Sequence, residues 1–298
     1  MNRLSTLLLI AICSSPQCLL AQAVVKPIEL SIWNNGAPVG DGGSEKVDVR
    51  ITVHQPANPN GTAIVICPGG GYATRVSGPE GHGIAQWLNK QNITGVVLDY
   101  RLPEGRATVP LLDAQRAIRT VRANAARWKL DPRRIGIMGF SAGGHLASTA
   151  GTHFDGGEPK HKDLVERESC RPDFMILVYP VISFGELGHA GSRRKLLGEN
   201  ATDALITKFS NETQITRDTP PTFLAHALDD KAVSSDNSKM FFDALKRVKV
   251  PARYLELASG GHGLNRYQGP MWDAWQLASL DWLAEQKLHR RPNSSAGN

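Results

Sequence analysis

The 298 residues predict an α/β fold, a mostly parallel sheet with helices on both faces. Short β-rich runs alternate with amphipathic helical runs over most of the length, the pattern made by strands joined through helical crossovers. Most of the β-rich runs are continuously apolar, as strands buried on both faces must be. In addition, a glycine-flanked turn joins one apolar run directly to a helix-forming stretch at Gly139-Phe140-Ser141-Ala142-Gly143.

Taken in order, residues 47–53 alternate apolar and polar and suit an antiparallel edge strand. Apolar runs at 63–67, 96–98, 135–138, 174–179, 222–225 and 253–257 read as buried parallel strands. Between them, Leu111, Ala114, Ile118, Val121 and Ala125 share one helical face. Phe241, Ala244, Leu245 and Val248 share a second, and Met271, Ala274, Trp275, Ala278 and Trp282 a third. Pro103, Pro110, Pro132, Pro172 and Pro220-Pro221 fall at the joints, where a missing N–H costs little. With neither repeat nor linker, residues 24–290 read as one domain. Residues 183–219 form a polar insertion between two strands, a candidate lid with a plain surface loop as its alternative, and 291–298 form a polar tail.

Residues 1–23 read as an export signal: Arg3, an apolar run from Leu7 to Ile12, and the small-x-small site Ala21-Gln22-Ala23. Ser14, Ser15, Pro16 and Gln17 end the run well short of the ~18 residues a membrane span needs. The expected location is therefore secreted or periplasmic, with no membrane association. Cys13 and Cys18 leave with the signal, and Cys67 and Cys170 remain. Export permits a disulfide between them, but each abuts a strand, and two buried thiols are the plainer expectation.

The net charge of +6 comes from 34 Lys+Arg interleaved with 28 Asp+Glu. Short clusters such as Arg133-Arg134 and Arg193-Arg194-Lys195 lack neighbouring aromatic residues, which argues against a nucleic-acid partner. His153, Asp155, His161 and Asp163 could gather around a metal. The intervening Gly156-Gly157-Glu158-Pro159 reads instead as a polar loop, so neither metal nor cofactor is expected.

The chemistry concentrates in three places. A sharp strand-turn-helix joint exposes the Ser141 hydroxyl, and such a hydroxyl is a poor nucleophile without a base. Asp229-Asp230 follows the apolar run 222–225, and His262 lies in the glycine-rich run Ser259-Gly260-Gly261-His262-Gly263 after the last strand. The order serine, acid, histidine suits Ser141 as nucleophile, His262 as base and Asp230 as acid. Asp229 is then a loop-shaping or capping residue. Cys67-Pro68-Gly69-Gly70-Gly71-Tyr72 is a glycine-rich turn after a strand, able to aim Gly70 and Gly71 amides at an oxyanion alongside the Ala142 N–H. Tyr72, His82 and Trp272 are candidates to line a substrate pocket, and His145 and Asp113 are candidates for packing or hydrogen bonding.

Pro-Gly-Gly-Gly-Tyr, Gly-Phe-Ser-Ala-Gly-Gly-His and Gly-Gly-His-Gly resemble the α/β-hydrolase superfamily, and more closely exported bacterial esterases of the acetyl-xylan-esterase type, related to hormone-sensitive-lipase-like enzymes. Tyr100-Arg101-Leu102-Pro103 and Asp113-Ala114-Gln115-Arg116 support the likeness, which spans about Ile32 to Leu283. Pro68 departs from it, standing where lipase-like relatives begin the glycine motif with His. The resemblance implies the α/β-hydrolase fold, the triad Ser141, Asp230 and His262, and oxyanion donors at Gly70, Gly71 and Ala142. It further implies a secreted serine esterase acting on a small ester or an acetylated polysaccharide. An amide hydrolase of the arylformamidase or peptidase kind, using the same triad, is the alternative, followed by a non-catalytic glycan-binding protein on the same scaffold.

Overall fold

The structure, a computed structural model, describes residues 26–34 and 36–289. The expected signal at 1–23 and the tail at 291–298 lie outside the described residues. The main sheet has eight strands: β1 (Ile28–Ser31), β4 (Arg50–His54), β6 (Thr94–Asp99), β5 (Ala63–Cys67), β7 (Ile135–Phe140), β8 (Met175–Val178), β9 (Thr222–Ala227) and β10 (Ala252–Leu257), in that spatial order. β1 and β4 pair antiparallel, as do β4 and β6, and every later pairing is parallel. A small hairpin of β2 (Ala37–Pro38) and β3 (Ser44–Glu45) stands apart.

Helices cover both faces. On one side α2 (Val109–Ala123), α3 (Ser141–Thr152) and α6 (Asp236–Arg247) bury Ile118, Val121, Leu146, Phe241 and Leu245 against the sheet. On the other, α1 (Gly83–Asn89) and the last helix, α7 (Pro270–Glu285), bury Ile84, Leu88, Trp275 and Trp282. The three stripes anticipated from periodicity therefore mark the inward faces of α2, α6 and α7. Helix α1 escapes such a reading because its seven residues span barely two turns.

Two strands differ from expectation. β4 begins at Arg50 and is internal, because β1 covers its outer side; Ile51 and Val53 are fully buried. β10 is the opposite edge, and only Leu257 in it is buried, since an edge strand loses the cover that a central strand receives from its neighbours.

The register decides where the chemistry falls. Cys67 pairs with Gly139, Phe140 with Val178, Val178 with Ala225, and Leu257 with Ala227. The loops leaving β5, β7, β8, β9 and β10 thus emerge at one end of the sheet, the carboxyl end where open α/β sheets place their sites. The 183–219 insertion carries α4 (Ala190–Leu197) and α5 (Asp203–Lys208). Phe184, Leu196, Leu197 and Phe209 tuck into the core, so the segment is packed against the body of the domain.

Candidate active site

Ser141 follows the last residue of β7 with φ of +52° and opens α3. That left-handed backbone costs an L-residue roughly 1–2 kcal/mol, and it turns the hydroxyl out of the strand. The flanking glycines are a steric demand. A Cβ on Gly139 would lie 2.1 Å from the Gly143 carbonyl oxygen, and one on Gly143 would lie 2.1 Å from that of Cys67. Backbone meets backbone at both positions, so no side chain fits.

The structure brings Ser141, His262 and Asp230 together. Ser141 Oγ lies 2.8 Å from His262 Nε2, and His262 Nδ1 lies 2.7 Å from Asp230 Oδ2. Asp230 Oδ1 accepts the Ala232 and Val233 N–H groups at 2.9 and 3.0 Å, and His226 Nε2 approaches Oδ2 at 3.2 Å. Burial opposes ionisation of Asp230, but donors from His226, His262 and Val233 outweigh it and hold the carboxyl well below its ordinary range. Four donors on one carboxylate also fix its rotamer. Asp229 acts on the backbone of the histidine loop, accepting Gly261 N–H at 2.8 Å and Gly260 N–H at 3.3 Å, the loop-shaping part expected of it.

Beyond His262 the chain makes an unusual turn. Leu264, Asn265, Arg266 and Tyr267 all have φ between +47° and +66°, a left-handed turn of non-glycine residues. Such strain persists only where the surroundings hold it. Tyr267 packs edge-on against Trp272 with centroids 5.4 Å apart, and Tyr179 packs against the His262 ring at 5.0 Å.

The glycine-rich loop is anchored from several sides. Tyr100 donates its hydroxyl to the Pro68 carbonyl at 2.7 Å, Gly69 N–H donates to Glu80 Oε2 at 2.6 Å, and the Gly70 carbonyl accepts from Ala73 and Thr74. At Gly70, with φ of +129°, a Cβ would strike the Thr74 carbonyl. The Gly69 amide is thus spent internally, while among the described residues Gly70 and Gly71 donate no hydrogen bond within the protein. Ala142 lies in the first turn of α3, where N–H groups lack helical partners.

The proposed pocket residues fare differently. The Tyr72 ring is buried and its hydroxyl bonds His145 Nδ1 at 2.9 Å, so it fastens the glycine loop to α3. Tyr72 does border a cleft of about 360 Å³ with Leu102, Glu104, Arg194, Lys195 and Glu199. The structure does not bring His82 to the cluster, since its Nδ1 meets His54 Nε2 at 3.0 Å. Trp272 sits in the core beneath Tyr267, stacked on Phe140.

His145 and Asp113 both prove to be internal partners. Asp113 is fully buried and accepts from Arg101 and from Trp33 Nε1. His145 Nε2–H donates to the Phe209 carbonyl at 2.8 Å, which leaves Nδ1 to accept from Tyr72. Burial pushes the imidazole down from 6.5 to about 4. The unfolded chain takes up that proton near pH 6.5 and the folded chain only near 4. His145 therefore contributes stability that is complete above about pH 6.5 and is lost as pH falls toward 4. Urea denaturation at pH 7 and 4.5 should show the wild type losing about 2 kcal/mol more than His145→Gln. Equal losses would mean that the ring titrates freely in the fold.

The four candidate metal ligands do not gather. Arg119 takes Asp155, Arg116 takes Asp163, and the His153 ring stacks on Phe209. No metal-holding group of His, Cys, Asp or Glu occurs among the described residues. Cys67 and Cys170 are both free and buried. Sequence reasoning missed three residues that meet this site. Glu80 stands in an irregular turn with no motif spacing, Tyr179 ends an apolar strand run, and His226 resembles an ordinary core histidine until its contact with Asp230 is seen.

Residues 51–245 match the family described as BD-FAE. The chain belongs to the BD-FAE family. The match takes in the glycine loop, the Ser141 elbow and Asp230, and it ends before the His262 loop. An acetylxylan esterase of Xylanibacter ruminicola is 37% identical over 225 residues, 74% of this chain and 44% of that protein. Endo-1,4-beta-xylanase B of Butyrivibrio fibrisolvens is 36% identical over 235 residues, 76% of this chain and 36% of its own length. This BD-FAE chain spans less than half the length of both relatives. The crystal structure of an acetyl ester-xyloside bifunctional hydrolase from Caldicellulosiruptor lactoaceticus superposes with a TM-score of 0.84 at 38% identity, covering 90% of this chain and 99% of that one. The α/β-hydrolase fold expected from the motifs is the one observed.

Proposed function

We propose that this BD-FAE protein is a serine esterase that removes acetyl groups from xylan or a related acetylated carbohydrate. The observation that carries the reading is the relay from Ser141 Oγ through His262 to Asp230, set beside the two unengaged glycine amides. Ser141 Oγ attacks the acetyl carbonyl carbon as His262 Nε2 takes its proton. The oxyanion is received by the Ala142 N–H and the Gly70 and Gly71 amides. Collapse breaks the bond to the sugar oxygen, which leaves with the proton from His262. Water, deprotonated by His262, then attacks the acetyl-serine carbon, releasing acetate and restoring the serine.

A carbohydrate alcohol is favoured over a lipid by the cleft beside Tyr72, whose rim carries Glu104, Arg194, Lys195 and Glu199. Part of that wall comes from α4, so the 183–219 insertion serves here as a substrate wall. The likeness to an acetylxylan esterase supports the same substrate class. Export belongs to this reading, because polymeric xylan is met outside the cell. Among the described residues no helix is long and apolar enough to cross a membrane.

The test is a hydrolysis panel of acetyl, butyryl and octanoyl p-nitrophenyl esters, acetylated xylan and an aryl formamide. Acetate release from xylan and acetyl ester, with kcat/KM falling at least tenfold from acetyl to octanoyl, is the expected result. Preferred formamide turnover would move the protein to amide hydrolysis.

A further inference from the structure

We propose that Glu80 is a positioning residue that locks the oxyanion loop to the histidine loop; this rests on the triad reading above. Glu80 is 3% exposed and lies in the short turn before α1, outside the triad and the glycine motif. Its carboxylate reaches three separate parts of the site. Oε2 accepts Gly69 N–H at 2.6 Å, Oε1 accepts the Tyr179 hydroxyl at 3.0 Å, and the Tyr267 phenol interacts electrostatically with the same group.

Each arm ends on a reacting element. Gly69 leads directly into the Gly70 and Gly71 amides, and a Cβ on Gly69 would sit 2.7 Å from Glu80 Oε2, so the packing there has no slack. Tyr179 presents its ring to the His262 imidazole. Tyr267 closes the left-handed turn that begins two residues after His262. Tyr179 and Tyr267 hold φ of +39° and +66°, backbone states that need external support; the Tyr179 hydroxyl bonds Glu80 and the Tyr267 phenol interacts with the same carboxyl. One buried carboxylate thereby fixes the separation between the oxyanion donors and the base. Transition-state stabilisation depends on that separation more than substrate binding does, because the oxyanion forms only as Oγ attacks.

The test measures p-nitrophenyl acetate kinetics and melting temperature for wild type, Glu80→Gln, Glu80→Ala, Tyr267→Phe and the Glu80→Ala/Tyr267→Phe double variant. Glu80→Ala should lower kcat roughly 10²-fold, near the loss of one oxyanion donor, with KM within about threefold of wild type. Glu80→Gln keeps an acceptor for Gly69 and should recover about tenfold of that loss. Tyr267→Phe should lower kcat alone, and the double variant should be no slower than Glu80→Ala, because both changes break one tether. Wild-type kcat in a folded Glu80→Ala, or multiplicative losses in the double variant, would overturn the proposal. Should Glu80→Ala not fold, Glu80→Gln and Tyr267→Phe decide by their own kcat, unchanged values overturning it. A fluorophosphonate probe separates this from the underlying reading. Labelling at Ser141 in wild type with none in Ser141→Ala keeps the triad in place whatever Glu80 does, and turnover by Ser141→Ala within tenfold of wild type would remove the triad itself.

Discussion

Ser141→Ala is expected to lower acetyl-ester kcat by about 10⁶-fold, the scale seen when a triad serine is removed from a serine hydrolase. The substitution deletes only Oγ, whose hydrogen-bond partner is His262 Nε2. Alanine can hold the strained backbone at φ of +52° about as well as serine does. The scaffold around it is set by Gly139 and Gly143, which the change does not touch. The melting temperature should therefore stay within about 3 °C of wild type, so lost activity cannot be assigned to lost fold. Residual turnover should still exceed the uncatalysed rate, because the Gly70, Gly71 and Ala142 amides, the proposed oxyanion donors, are untouched and would receive an oxyanion formed by direct attack of water. Stopped assays over hours at high enzyme concentration can follow so slow a reaction. A variant within tenfold of wild type would show that another group attacks the ester.

The residues that proved legible in the sequence are those whose signal is local. Ser141 could be found because two close backbone approaches require Gly139 and Gly143, and because strand, turn and helix are adjacent in the chain. Asp230 and His262 could be ordered after it because each follows an apolar strand run. The strand ends were aligned by register, which no single run reveals. Cys67 opposite Gly139 is what sets the glycine loop beside the elbow.

What stayed hidden depends on contacts between distant segments. Glu80 and Tyr179 are 99 residues apart yet share a hydrogen bond, and nothing near either one marks the other. Tyr72 carries a different lesson. An aromatic residue beside a glycine loop suits a substrate platform, but the His145 partner that turns it inward comes from another helix. His82 likewise looks exposed and available until β4 supplies His54. The charged positions between His153 and Asp163 are ambiguous in sequence for the same reason. Arg116 and Arg119 lie one turn apart on α2 and reach Asp163 and Asp155 across the surface, a pairing set by tertiary packing.

Asp230→Asn should cost about 10⁴-fold in kcat, and the cause lies in hydrogen-bond polarity. Asp230 accepts four donors: two backbone N–H groups at Oδ1, and His262 Nδ1 and His226 Nε2 at Oδ2. Asparagine offers one oxygen and one NH₂. In either orientation the NH₂ faces two donors. If it turns toward His262, the imidazole must give up its Nδ1 proton and carry it on Nε2, where it faces Ser141 Oγ and can no longer accept the serine proton. If it turns toward Ala232 and Val233, the loop that presents the side chain is pushed away. Stability should fall by about 1–3 kcal/mol, since buried donors lose their acceptor. Asp229→Asn makes the comparison informative. It retains an oxygen for Gly261 N–H and touches neither imidazole, so its kcat should stay within about tenfold of wild type. Steady-state kinetics on p-nitrophenyl acetate with both variants decide the matter. A large loss confined to Asp230 assigns it the acid role, whereas a large loss confined to Asp229 would transfer that role to the neighbouring carboxylate.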